Sequence, residues 1–198
     1  MPIPESQLDT WTNQGATSSA SSAYSSIQNA LENPRYGLAE FDHTYETHLQ
    51  GSYRNHTNIY GDSDVDIVVK LTMPFQEDLS ELSDAESESF WEMYQDIDYD
   101  FWDFHSTVSK ALKRYYGYAN VDQGDKALKV KANDDTPLSI DADVVACAEY
   151  RRYHSIDSEN SEDYTAGMYF RTQSTGRAIV NFSKEHYQNG VSKNDGTN

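Results

Sequence analysis

Residues 64–71, DVDIVVKL, constrain this chain more than any other stretch of it. Val65, Ile67, Val69 and Leu71 alternate with Asp64, Asp66, Val68 and Lys70, the period-two pattern of a β-strand with one face in a core. A strand sets residues i and i+2 on one face about 6.5 Å apart along the chain, so Asp64 and Asp66 stand side by side opposite the apolar face. Two carboxylates on so rigid a support can straddle divalent cations, which lie ~3.5–4 Å apart where two of them serve one reaction. An Asp-x-Asp pair is common on surface strands, so its context has to decide what it does.

That context lies on both sides. Gly51 and Ser52 follow a short predicted strand at 44–50 and precede the polar stretch YRNHTNIYGDS. Glycine lets a phosphate approach the backbone closely, and a serine hydroxyl with nearby N–H groups can hold a phosphate tail. A third carboxylate is available downstream in LSIDADVVA, residues 138–146, where Leu138, Ile140, Ala142 and Val144 share one face and Asp141 and Asp143 the other. The alternation leaves either acid as the candidate. Gly-Ser, a polar connection and Asp-x-Asp on an amphipathic strand are together far more specific than any one of them.

The rest of the chain reads as alternating helices and strands. Ala20, Ala23, Tyr24, Ile27 and Leu31 recur at helical spacing in 16–32, and Asn33-Pro34 ends the run. Residues 72–98 are acidic and irregular, with a capping box at Ser83–Glu86 that starts a helix. A better helical signal covers 99–116, with Phe101, Phe104, Val108, Leu112 and Tyr115 on one face and Gly117 as the stop. KALKVKA at 126–132 alternates and pairs with 138–146 across the turn Asn133–Pro137, and 167–172 with 177–182 predicts a second hairpin.

Composition limits the partners. Fifteen Lys and Arg against thirty-three Asp and Glu leave a net charge of −18, which argues against binding to long nucleic acid. Most of that acidity reads as a solvated surface, since a metal site needs only three carboxylates. No run approaches the ~20 apolar residues of a membrane span, and the N-terminus has neither the basic nor the apolar region of a signal peptide. With its single Cys147, the sequence predicts a cytoplasmic protein.

GSYRNHTNIYGDSDVDIVV followed by ADVV at 142–145 resembles the DNA polymerase β-like nucleotidyltransferase superfamily, and most of all the bacterial CD-NTases. The likeness continues through EYRRY at 149–153 and residues 179–194. It implies an α+β core, a mixed β-sheet flanked by helices, occupying residues 1–182. Residues 183–198 would start a helical C-terminal domain that is largely missing. The family pattern places the third ligand at Asp143, with Ala146 where a proline often stands. The implied catalytic and metal set is Asp64, Asp66 and Asp143, with Gly51 and Ser52 on the β- and γ-phosphates of a nucleoside triphosphate.

Mg²⁺ is the implied ion, with Mn²⁺ an alternative, because the ligands are hard oxygens. The implied reaction joins nucleoside triphosphates into a cyclic or short linear oligonucleotide signal with release of pyrophosphate, in antiphage defence. Transfer of one nucleotide to a small molecule, RNA end or protein is the second reading, and a nucleotide-binding module without turnover the third. Several residues are read as structural. His56 belongs to a solvent-facing loop, Arg54 and Asn58 either contact phosphate or stabilise that loop, Lys129 and Lys131 belong to a solvated strand face, and Trp91, Tyr94, Phe101 and Trp102 to packing. Cys147 is read as a small core residue.

Overall fold

The computed structural model describes residues 15–38, 41, 43–50, 64–94, 100–157, 159 and 161–182. In chain order they form α1 (Gly15–Leu31), β1 (Thr44–Gln50), β2 (Val65–Asp78), α2 (Asp84–Met93) and α3 (Phe101–Tyr116). A 3₁₀ turn at Tyr118–Asn120 follows, then β3 (Val121–Gln123), β4 (Leu128–Val130), β5 (Ala142–Ile156), β6 (Glu162–Arg171) and β7 (Ala178–Asn181). Backbone proximity sorts these elements into two compact units, and β2 and β5 each contribute to both.

The first unit takes in α1, β1 from Glu46, β2 to Val69, α3 from Trp102, β3, β4 and β5 to Ala146. Its strands lie in the order β1-β2-β5-β4-β3. Helix α1 buries Ala20, Ala23, Ile27, Ala30 and Leu31, the predicted spacing with Ala30 added. Tyr24, on its flank, donates its hydroxyl to the Thr47 carbonyl at 2.8 Å, which fixes α1 to β1. Ser26 and the Tyr116 hydroxyl, 2.7 Å apart, link α1 to α3. In α3 the buried face is Phe101, Phe104, Val108, Ala111, Leu112 and Tyr116. Tyr116 takes the place expected for Tyr115, its hydroxyl meeting Ser26 of α1. Gly117, at φ +91°, turns the chain out of α3.

β2 and β5 begin side by side, Val65 N–H donating to the Asp141 carbonyl at 2.9 Å. Contacts farther along advance in step, Lys70 with Glu149 and then Asp78 with Arg152, so the two strands run parallel. β3–β4, β4–β5, β5–β6 and β6–β7 are antiparallel. The pairing is therefore mixed and the fold α+β, as the resemblance implies.

The second unit takes in the remainder of β2 and β5 with α2, β6 and β7. Phe75, Phe90, Tyr153 and Ile156 form its core, with Leu79, Leu82, Met93, Tyr94 and Tyr164 packed against it. Ser83 and Glu86 form the predicted capping box at the start of α2, and Glu86 also accepts the Ile156 N–H at 3.2 Å. The Arg151 guanidinium lies 3.8 Å from the Phe75 ring centroid and 5.0 Å from that of Tyr164, and its Nε donates to Glu149 at 2.7 Å.

Several expectations are corrected. The strand expected to stop at Leu71 runs on to Asp78, through part of the stretch read as irregular. Val68 and Lys70, expected opposite the core, are buried as well, so β2 is covered on both faces beyond Asp66. The strand at 126–132 shrinks to Leu128–Val130, the one at 138–146 starts at Ala142 and continues to Ile156, and β3 was not foreseen. Trp91, read as packed, is 48% exposed, although it meets Phe90 edge-on. Residues 183–198, expected to open a second domain, lie outside the described residues. No helix among the described residues is long and apolar enough to cross a membrane.

Candidate functional site

Asp64 stands one residue before β2 and Asp66 within it, flanked by Val65 and Ile67, both fully buried. On the neighbouring strand Asp143 is flanked by Ala142 and Val144, likewise fully buried. The alternation that sinks these apolar residues leaves the three aspartates only partly covered. Strand β4 completes the cluster, since its register sets Lys129 opposite Asp143.

Lys129 is the residue that the sequence reading passed over. Its ammonium donates to Asp64 Oδ2 at 2.7 Å and also reaches Asp141 Oδ2 at 3.1 Å. The alternation of KALKVKA correctly put Lys129 opposite the core, and the expected pairing of 126–132 with 138–146 already brought it near Asp141 and Asp143; the register that sets Lys129 against Asp143 was not part of that expectation. Lys131 instead pairs with Asp122 on β3 at 2.8 Å.

The four aspartates differ in electrostatics. Burial holds the Asp66 carboxyl above its ordinary value, and the negative charges of Asp143 and Asp64 push the same way. Burial likewise raises Asp143, with Asp64 adding to the effect, Lys129 opposing it and Asp141 contributing again. Asp141 is lowered, first by the Ala132 N–H that donates to its Oδ1 at 2.8 Å and then by Lys129. Lys129 is held above its usual range by its bonds to Asp64 and Asp141. Asp141 is thus already served by the protein, whereas Asp66 and Asp143 are carboxylates short of positive charge.

Hard oxygen donors from two adjacent strands with a deficit of positive charge suit a divalent cation. Among the described residues, no three His, Cys, Asp or Glu side chains are already gathered around one ion position. Asp64 is turned onto Lys129 instead. Gly51 and Ser52, the expected phosphate-binding pair, lie outside the described residues, as do Arg54, His56 and Asn58. Cys147 is fully buried, as expected of a core residue.

No family model matches the chain. It is 42% identical over 198 residues to a cyclic UMP-AMP synthase of Rhodothermus marinus, spanning 100% of this chain and 64% of that relative. It is 36% identical over 199 residues to the cyclic nucleotide synthase CdnE01 of Staphylococcus haemolyticus, again 100% of this chain and 64% of the relative. Among solved structures, the Rhodothermus marinus CdnE c-UMP-AMP synthase with Apcpp and Upnpp superposes with a TM-score of 0.72 at 39% identity, covering 99% of this chain and 62% of that one. An Elizabethkingia meningoseptica CdnE cyclic dinucleotide synthase with GTP and Apcpp gives 0.62 at 26% identity, covering 98% and 60%. The chain therefore spans a little under two thirds of the length of each of these relatives.

Proposed function

The chain belongs to the CdnE-type CD-NTases, nucleotidyltransferases named for their cyclic nucleotide products, and from that premise we propose that it joins nucleoside triphosphates into a cyclic or short linear oligonucleotide with release of pyrophosphate. The observation that carries this reading is the convergence of Asp64, Asp66 and Asp143 from two parallel strands, with Asp66 and Asp143 both raised by burial and by neighbouring negative charge. A scaffold that sets carboxylates against each other at a partly buried site, with Lys129 the one cation paired with them among the described residues, suits positive charge supplied from outside.

Asp64, Asp66 and Asp143 would hold the divalent cation, Mg²⁺ by the hardness of the donors. When bound, it supplies charge neutralisation on the phosphates and Lewis acidity toward the acceptor hydroxyl. Gly51 and Ser52 would grip the β- and γ-phosphates. The acceptor hydroxyl oxygen attacks the α-phosphorus in line, the bond from that phosphorus to the bridging oxygen breaks, and pyrophosphate leaves. The Asp143 carboxylate would accept the hydroxyl proton. Asp141, bonded to Ala132 N–H and Lys129, has its oxygens occupied and supports the strand start.

The test uses labelled ATP, GTP, CTP and UTP with Mg²⁺ or Mn²⁺. It compares the chain alone with a chimera that carries, after Asn198, the remaining C-terminal part of the Rhodothermus marinus relative. A phosphatase-resistant product from nucleotides alone, lost in Asp64→Ala/Asp66→Ala, is the expected result. Product that persists in the double variant would refute the site. A conjugate that forms only with an added acceptor would replace the reaction by single-nucleotide transfer.

A further inference from the structure

Lys129 makes two contacts of different standing. Asp64, at 2.7 Å, belongs to the proposed ligand set, while Asp141, at 3.1 Å, does not. An oxygen that accepts from an ammonium at this distance is committed to it, and the ammonium's charge repels an incoming dication. Asp141 is anchored from its other oxygen by the Ala132 N–H. It can therefore keep the lysine in place when Asp64 turns away. The pairing of Lys129 with Asp143 across β4 and β5 fixes the lysine backbone beside the cluster.

We propose that Lys129 is the internal counter-ion of the metal-free site, exchanged for a divalent cation on loading as its ammonium passes from two carboxylates to Asp141 alone. The proposal rests on the reading of Asp64 as a metal ligand. A fixed positive charge then occupies the cluster while no nucleotide is present, offsets the repulsion among Asp64, Asp66 and Asp143, and depresses affinity for free cations. Loading is thereby tied to the arrival of a nucleotide, whose phosphates bring additional ligands. Both side chains are partly open to solvent, 40% for Lys129 and 37% for Asp64, so the contact can part without unfolding the strands around it.

The test is titration of Mn²⁺ alone into the nucleotide-free chain, followed by the electron paramagnetic resonance signal of the free ion, with thermal melting in chelator as a second readout. Lys129→Met is expected to bind Mn²⁺ about two- to fivefold more tightly than wild type. It should melt lower in chelator and regain more on adding Mn²⁺, and the gain should vanish in Lys129→Met/Asp64→Asn. Lys129→Arg keeps the charge and should bind as wild type does. If Lys129→Met folds poorly, Lys129→Gln carries the same expectation. Unchanged or weaker binding in a folded, charge-removed variant overturns the counter-ion role. Binding by wild type that is indifferent to Asp64→Asn overturns the ligand reading as well, so the two failures are told apart.

Discussion

Alanine at Asp141 and alanine at Asp143 should separate folding from chemistry in opposite directions. The two acids lie two residues apart at the start of β5, yet the protein treats them differently. Asp141 accepts a backbone N–H at 2.8 Å and an ammonium at 3.1 Å. A hydrogen bond to a charged group contributes about 1.5 kcal/mol at the lower end of its range, the end suited to a partly exposed bond. The ion pair, between side chains 40% and 30% exposed, is screened by solvent and adds little. Asp141→Ala should therefore lose about 1.5 kcal/mol of stability while keeping most of its transfer activity.

Asp143 presents the reverse case. Its carboxyl titrates above the unfolded value, so the fold carries a penalty that grows as pH rises from the unfolded value and levels off above the raised one. Removing the charge relieves it. Asp143→Ala should be at least as stable as wild type at neutral pH and lose more than about 100-fold in transfer, beyond the usual cost of a supporting residue. Urea unfolding in chelator gives the first quantity and pyrophosphate release by the chimera the second. If Asp143→Ala unfolds markedly earlier than wild type and still transfers, while Asp141→Ala does not transfer, the third ligand is Asp141 and the electrostatic reasoning is wrong.

Three further outcomes follow from the fold. Gly117→Ala should cost about 1–3 kcal/mol, because φ +91° with ψ 143° lies close to a region nearly reserved for glycine, and Gly117→Asn should cost about as much; urea midpoints check both. Phe75→Ala should cost about 3–5 kcal/mol, since Phe75 is fully buried and touches Phe90, Tyr94, Tyr153 and the Arg151 guanidinium, and a loss under 1 kcal/mol would count against that core. Asp78 is held well below the usual carboxylate range, first by the Tyr150 hydroxyl, then by Ser80 and Arg152. A depressed value contributes stability that is present above the unfolded value near ~4 and lost as pH falls below it. The melting temperature of Asp78→Asn should thus fall less steeply than that of wild type between pH 5 and pH 2, and parallel curves would refute the assignment.

The sequence was legible where one period governed and opaque where two environments met. α1, the start of β2 and the capping box at Ser83 show in the sequence because a single face meets a single core. Beyond Asp66 the alternation fails as a guide, since β2 is covered on both sides and even Lys70 is buried, paired with Glu149. Acidic residues and Pro74 then disguise a strand that continues to Asp78. β3 is three residues long and carries too little pattern to register. At the site, the side-by-side placement of Asp64 and Asp66 shows in the spacing, whereas the sequence alone left Asp141 and Asp143 open and only the family pattern favoured Asp143. The role of Lys129 depends on a cross-strand register that no window along the chain contains.

The connection from β4 to β5 has a genetic consequence. Asn133 N–H donates to the Thr136 hydroxyl at 3.1 Å, that hydroxyl donates to the Lys131 carbonyl at 2.9 Å, and Ala132 N–H is tied to Asp141. The connection is thus sewn at a fixed length to strands whose pairing sets Lys129 against Asp143. A codon inserted or deleted between Ala132 and Ile140 preserves translation downstream but shifts the sheet by one residue, turning each side chain of the slipped strand to the opposite face. The hairpin has, in effect, a reading frame of its own, and inheritance should tolerate altered letters there far better than an altered count.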